Sequence, residues 1–178
     1  DPTKAAEIGN LVTHRADSLI NSPEDSWITK YTGNTNNENP KYRLFLGEDP
    51  ATFASKVITD IMIPVNDPRL PKYFDVGPSA SPGQFIGVAA NEDADTTTSE
   101  ISQYLLRKNA PSVELSFQEL EFFEAEVYAR GLGVPQNLVT AENLFKSAVT
   151  DAMTFYEADP AAITAFVNDP LRLPNIAL

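Results

Sequence analysis

The chain has 178 residues, with 13 basic and 25 acidic side chains, a formal net charge of −12 and no cysteine. The length supports one sizeable hydrophobic core, and the charge argues against a polyanion such as nucleic acid as partner. Without cysteine, disulfides, thiolate metal sites and thiol nucleophiles are excluded.

Residues 3–20 read as an amphipathic helix whose buried face is Ala5, Ile8, Leu11, Val12, Ala16, Leu19 and Ile20, stopped by Asn21-Ser22-Pro23. Gly9 inside it costs about 1 kcal/mol against alanine, so packing has to compensate. The helical pattern is already running at Asp1, which places the natural N-terminus upstream. His14 is the single histidine. Alone, it cannot build a histidine metal cluster or a Cys/His dyad, and it reads as a helix-surface residue.

The stretch 25–47 is polar and aromatic. It holds the only tryptophan, Trp27, with Tyr31, Tyr42 and Phe45 and the asparagines Asn34, Asn36, Asn37 and Asn39. Asparagine forms turns, so one reading is a loop pinned by a few aromatics, with Trp27 packed inward on the helix of residues 50–63. The other is a sugar site, because rings stack on sugar C–H faces while amides donate and accept to hydroxyls. In that reading Trp27 is the first platform and Tyr31 the second. Asn34, Asn36 and Asn37 are the hydroxyl partners, and Tyr42 closes the set. Tyr42–Leu46 reads as a short strand.

Asp49-Pro50 opens a helix with Phe53, Val57, Ile58, Ile61 and Met62 inward, ended by Pro64. Residues 66–74, NDPRLPKYF, imply an extended, turn-rich path. Residues 84–88 read as a short strand. Glu92, Asp93 and Asp95 have a calcium-loop composition without its ligand order, which favours a solvated loop. Residues 99–106 are either a turn of helix or an edge strand.

Residues 116–156 form the centre, an antiparallel helix pair. The first helix puts Phe117, Leu120, Phe123, Val127 and Tyr128 on one side and Glu119 and Glu126 on the wetted side. Glu124 falls in the apolar arc and requires a partner such as arginine. Gly131, Gly133 and Pro135 end this helix. The second starts at Thr140 as N-cap and buries Ala141, Leu144, Phe145, Ala148, Val149, Ala152, Met153 and Tyr156. Ala125, Ala141 and Ala148 follow the small-residue spacing of tetratricopeptide units. Asp159-Pro160 opens a last helix carrying Ala162, Ile163, Phe166 and Val167. The sequence then stops without the polar-faced cap of a repeat array, as a piece of a longer protein would.

No nucleophile elbow, zinc-binding H-E-x-x-H, phosphate loop or dinucleotide fingerprint is present. The carboxylate pairs Glu119/Glu126 and Glu121/Glu124 are of the kind any acidic helix carries. The order of segments, however, resembles the SusD/RagB family of outer-membrane nutrient-binding lipoproteins, in its SusD-like branch. The resemblance rests on Asn66-Asp67-Pro68-Arg69-Leu70 running into Tyr73-Phe74, on Phe85 and Gly87, and on Pro111. It continues through Ser116, Phe117, Glu119, Phe122, Ala125, Glu126, Arg130 and Gly131, then Ala141, Phe145, Ala152 and Met153. Gln118 and Glu124 depart from that pattern.

The resemblance implies a mainly α fold of tetratricopeptide-like helix pairs with irregular capping loops and little β. Residues 1–178 would be one partial domain, with the hairpin 116–156 as its core and an irregular region over 23–110. It implies a cell-surface, outer-membrane protein held by a lipid anchor that this chain lacks. Such a protein binds a glycan, or in some members a peptide, and delivers it to a SusC-like TonB-dependent transporter. Neither enzyme activity nor a cofactor is expected. The competing readings are a helical-repeat scaffold that binds another protein and a glycoside hydrolase accessory region using the glutamate pairs. Quenching of aromatic fluorescence by a sugar separates the first from the scaffold.

Overall fold

Side-chain caps mark the start of the longer helices. In the computed structural model, which describes residues 1–15, 20–45 and 52–173, Asp1 Oδ1 accepts from the Thr3 amide at 3.0 Å and starts α1, Pro2–Thr13. β1 is Trp27–Thr29, α2 Pro40–Phe45, α3 Lys56–Met62 and α4 Leu70–Tyr73. β2 is Phe74–Asp75, β3 Glu100–Ile101 and β4 Ser112–Leu115. α5 is Phe117–Arg130, α6 Leu138–Phe155 and α7 Pro160–Val167. The fold is mainly helical, and among the described residues its strands form two small sheets, β1 with β4 and β2 with β3. Among the described residues no helix is long and apolar enough to cross a membrane.

The chain divides into two compact units. The first comprises Asp1–Ile28, Val113–Phe155 and Ile163–Leu178. Its centre is the antiparallel pair α5–α6. Ser116 Oγ accepts from the Glu119 amide at 3.2 Å, and Gly131 ends α5 in the left-handed region at φ +65. Asn137, rather than Thr140, caps α6, because its Oδ1 accepts from the Thr140 amide at 3.1 Å. The helix therefore starts earlier than its apolar pattern suggests. Ala125, Ala141, Ala148, Val149 and Met153 are buried, and the Phe122 and Phe145 rings meet edge-on at 5.7 Å.

Two parts of the expected packing differ. Phe123 is 56% exposed, while Glu121 and Glu124 occupy the inner face of α5. Glu124 has the arginine it required: Arg15 Nη1 donates to its Oε2 at 2.6 Å. On α1, Ile8 and Leu11 are exposed and Gly9 is the buried residue. The backbone at Gly9 lies directly against Gly133, so that a Cβ on either glycine would run into main-chain atoms. Ala16 and Leu19 lie outside the described residues. His14 is exposed at the end of α1, its Nδ1 at 2.9 Å from the Asn10 carbonyl oxygen.

The second unit, Thr29–Ser112 with Tyr156–Ala162, is irregular around a core of Ala54, Met62, Leu70 and Phe74, joined by Tyr73, Phe85 and Ile101. β2 and β3 run antiparallel with Phe74 opposite Ile101. Residues 99–106 thus contribute an edge strand followed by turns. Residues 84–88 form no strand, and Val88 makes one isolated parallel bridge with Ser55. The expected strand at 42–46 is instead helix α2 as far as Phe45, because Asn39 caps it and Pro40 is pre-set for a first turn. Residues 70–73 form a short helix where an extended path was expected.

The helix expected from Asp49-Pro50, which lie outside the described residues, appears as α3 from Lys56. It buries Thr59 and Met62 and leaves Val57, Ile58 and Ile61 exposed. Gly87 explains the rotation: it approaches so closely that a Cβ would strike Thr59 and Lys56, which fixes Thr59 inward. The NDPRL segment is a folding device. Asp67, 5% exposed, accepts from Arg69 Nη2 at 2.6 Å and Nε at 3.0 Å, and Arg69 stands 5.8 Å from the Tyr73 ring centre.

Candidate functional site

Residues 31–43 carry chain from a tight turn into α2. In that turn the Asn37 amide donates to the Asn34 carbonyl at 2.8 Å, with Asn36 in the left-handed region at φ +69. Asparagine tolerates that conformation better than most residues. Asn37 Oδ1 accepts from the Thr32 amide at 2.9 Å, which holds its side chain against the incoming chain. Asn39 is buried. It donates from Nδ2 to the Ala110 carbonyl at 2.6 Å and accepts at Oδ1 from the Lys41 amide at 2.7 Å. The start of α2 is thereby tied to Ala110, and the turn to Thr32.

Between them lies an open depression of about 530 Å³ lined by Tyr31, Asn36, Asn37, Glu38, Pro40 and Arg43. Tyr31 is half-buried, its hydroxyl 3.4 Å from Ser112 Oγ. Asn36 is exposed, and its side-chain amide makes no hydrogen bond among the described residues. Glu38 stands 3.8 Å from Arg43 Nε and 3.9 Å from Lys108 Nζ.

Of the residues named from sequence, the depression brings together Tyr31, Asn36 and Asn37. Asn34 belongs to the same turn without lining it. Tyr42 lies on α2 with Lys108 Nζ 5.4 Å from its ring centre. Trp27 belongs to the other unit, on β1, and is 68% exposed, so it is a surface ring and not a core one. Glu38, Pro40 and Arg43 were missed. The Asn-Pro pair at 39–40 was the available signal, since it marks a helix start that turns Arg43 back toward the loop.

A second, larger depression of about 650 Å³ is lined by Pro68, Pro71, Lys72, Glu157, Asp159 and Pro160 among others, and it has no aromatic ring. Glu92 and Asp93 are exposed, and Asp95 accepts from the Thr97 amide at 2.8 Å and from Thr97 Oγ1 at 2.6 Å. Among the described residues no group of three His, Cys, Asp or Glu could hold a metal ion.

The family model described as "SusD-like_2: Starch-binding associating with outer membrane" matches residues 1–173. A SusD homolog from Bacteroides fragilis NCTC 9343 superposes with a TM-score of 0.75 at 21% identity, covering 96% of this chain and 42% of its own. One from Bacteroides vulgatus ATCC 8482 gives 0.70 at 21% identity, over 90% of this chain and 32% of its own. A chitin-binding SusD homolog from Flavobacterium johnsoniae gives 0.63 at 19% identity, over 84% and 30%. At these identities the likeness is one of fold, and the chain spans less than half the length of each of these three solved relatives. No curated protein matches the sequence.

Proposed function

The chain belongs to the SusD-like family, whose members are described as starch-binding and associated with the outer membrane, and from that premise we propose that it captures a glycan at the depression of residues 31–43. The observation that carries this reading is the gathering of one aromatic ring, Tyr31, and two amide side chains, Asn36 and Asn37, on one concave surface. The ring offers a face to sugar C–H groups, and the amides can both donate to and accept from hydroxyls. Asn34 in the same turn and Tyr42 on α2 are further candidates, and the exposed ring of Trp27, in the first unit, is a separate stacking platform. Binding of this kind requires neither a cofactor nor a catalytic pair.

In the full-length protein, residues 1–178 form part of one family domain. A lipid anchor holds that domain at the cell surface, and the captured glycan passes to a SusC-like TonB-dependent transporter. Starch and chitin oligosaccharides are the first ligands to try, given the family description and the chitin-binding relative. Titration should show Tyr31→Ala weakening binding by roughly tenfold or more, the loss of one stacked ring and its contacts. Trp27→Ala tests that separate platform and should lower overall glycan binding with less than about 0.5 kcal/mol change in stability, as for an exposed side chain. If glycans bind and neither variant weakens them, the site lies elsewhere. Co-purification of the full-length protein with its transporter tests the delivery step.

A further inference from the structure

The whole-chain charge hides an opposite local balance. Between residues 29 and 45 the only carboxylate is Glu38, against Lys30, Lys41 and Arg43. Lys108 joins them through its carbonyl oxygen, which accepts from the Asn39 amide at 2.7 Å. The Glu38 side chain is only 15% exposed, whereas those of Arg43 and Lys108 are 60% and 53% exposed. Its oxygens stand 3.8 Å from Arg43 Nε and 3.9 Å from Lys108 Nζ, separations too long for a hydrogen bond. One sheltered carboxylate thus sits between two wet cations without occupying their donors. Arg43 borders the same depression as Tyr31, Asn36 and Asn37.

The geometry points to an acidic glycan, an oligosaccharide bearing carboxylate or sulfate groups, as the class of ligand this depression selects. The inference rests on the depression being the glycan site. A planar guanidinium matches two oxygens of a carboxylate or sulfate with parallel hydrogen bonds, a geometry that a neutral hydroxyl cannot supply. Lys108 adds a compact charge beside the Tyr42 ring. Glu38 offsets part of the cations' charge and repels the incoming anion, so it tunes affinity downward. The net charge of −12 opposes polyanions at long range. At an ionic strength of about 0.15 M that field is screened beyond roughly 8 Å, and the local cations govern what docks.

The test uses the chain as it stands, titrated with an oligogalacturonide and its fully methyl-esterified form, and with a sulfated oligosaccharide and its desulfated form. At least one charged form should bind roughly tenfold more tightly than its neutral counterpart, the scale of one charge-assisted hydrogen bond near the surface. Arg43→Gln should erase most of that preference without moving the melting midpoint. Glu38→Gln should tighten the charged form severalfold, a change of opposite sign that a general loss of structure cannot mimic. Equal affinity for charged and neutral forms, or weaker acid binding in Glu38→Gln, would overturn the inference. Equal affinity for a polyglutamate peptide would also overturn it, since charge alone would then suffice. If glycans bind through Tyr31 but charged and neutral forms alike ignore Arg43→Gln, this inference fails while glycan capture stands. If Tyr31→Ala affects no glycan at all, capture at this depression fails with it.

Discussion

Glu121 and Glu124 lie on the inner side of α5 at 4% and 2% exposure, and each leaves one oxygen, Oε2 and Oε1 respectively, without a hydrogen-bond partner among the described residues. Burial pushes both carboxyls above their ordinary range. The Arg15 charge opposes the shift at Glu124, whereas at Glu121 a Ser147 hydrogen bond opposes it and the nearby Asp151 charge adds to it. Asp151 on α6 is also raised, first by burial, with the hydrogen bond from Glu121 opposing and the Glu24 charge adding. An acid whose pKa is higher folded than unfolded stabilises the fold below the unfolded value, near 4.5 for glutamate. That contribution is lost as pH rises through the folded value. Glu121→Gln should therefore raise stability at pH 7–8 by on the order of 1 kcal/mol and flatten the decline between pH 4.5 and neutrality. Denaturant titrations at several pH values measure both, and an unchanged slope would show that Glu121 is already ionised without cost. Arg15→Ala should do the reverse. It strands the Glu124 carboxylate and removes a cation 4.9 Å from the Phe117 ring centre, at roughly 3 kcal/mol near neutral pH.

At the scale of elements, two contacts of small groups set how closely the first unit packs. Gly9 and Gly133 meet backbone to backbone, and Gly133 has φ +72. Alanine normally favours a helix over glycine by about 1 kcal/mol. At Gly9 the sign should invert, with Gly9→Ala destabilising, and Gly133→Ala should cost about 2 kcal/mol or more from strain and collision together. A rise in melting midpoint for Gly9→Ala would mean that α1 does not approach Gly133. Between α5 and α6, Ala148 is fully buried, and Ala148→Leu should cost roughly 1–3 kcal/mol by overpacking. The α5–α6 pair was legible in the sequence because two long 3.6-residue patterns lie on either side of a glycine-rich break. The phase of α3 was not. Its apolar residues are so numerous that Val57, Ile58 and Ile61 looked inward, and the deciding contact, Gly87 on Thr59, comes from a segment nearly thirty residues away. Helix α2 was read as a strand because its cap, Asn39, owes its position to a hydrogen bond with Ala110, a partner no local pattern reveals.

For the molecule as a whole, composition pointed to a stretch of chain but not to its shape. Aromatics and asparagines pointed to residues 27–42, yet the turn spends Asn39 and part of Asn37 on its own structure, while Glu38 and Arg43 enter the depression only through the start of α2. The same separation of pattern from packing governs the surface. Val57 and Ile61 are 67% and 63% exposed and Ile58 41%, beside the buried Met62 at 5%. A helix with its most apolar side in water presents a patch that dyes for apolar surface should bind. The double variant Val57→Ser with Ile61→Ser should therefore lower dye fluorescence and change stability by no more than about 0.5 kcal/mol per site, since neither side chain contributes much to the core. Met62→Ala, one residue beyond Ile61, should cost about 2–5 kcal/mol, because it empties a buried position between Ala54, Leu70 and Phe74. Thermal and denaturant unfolding of the two variants, with dye binding recorded on the same samples, decides between the packings. If the serine pair unfolds the protein as readily as Met62→Ala, the α3 face is turned inward as its apolar pattern alone would have it, and the Gly87 contact that rotates it outward does not form.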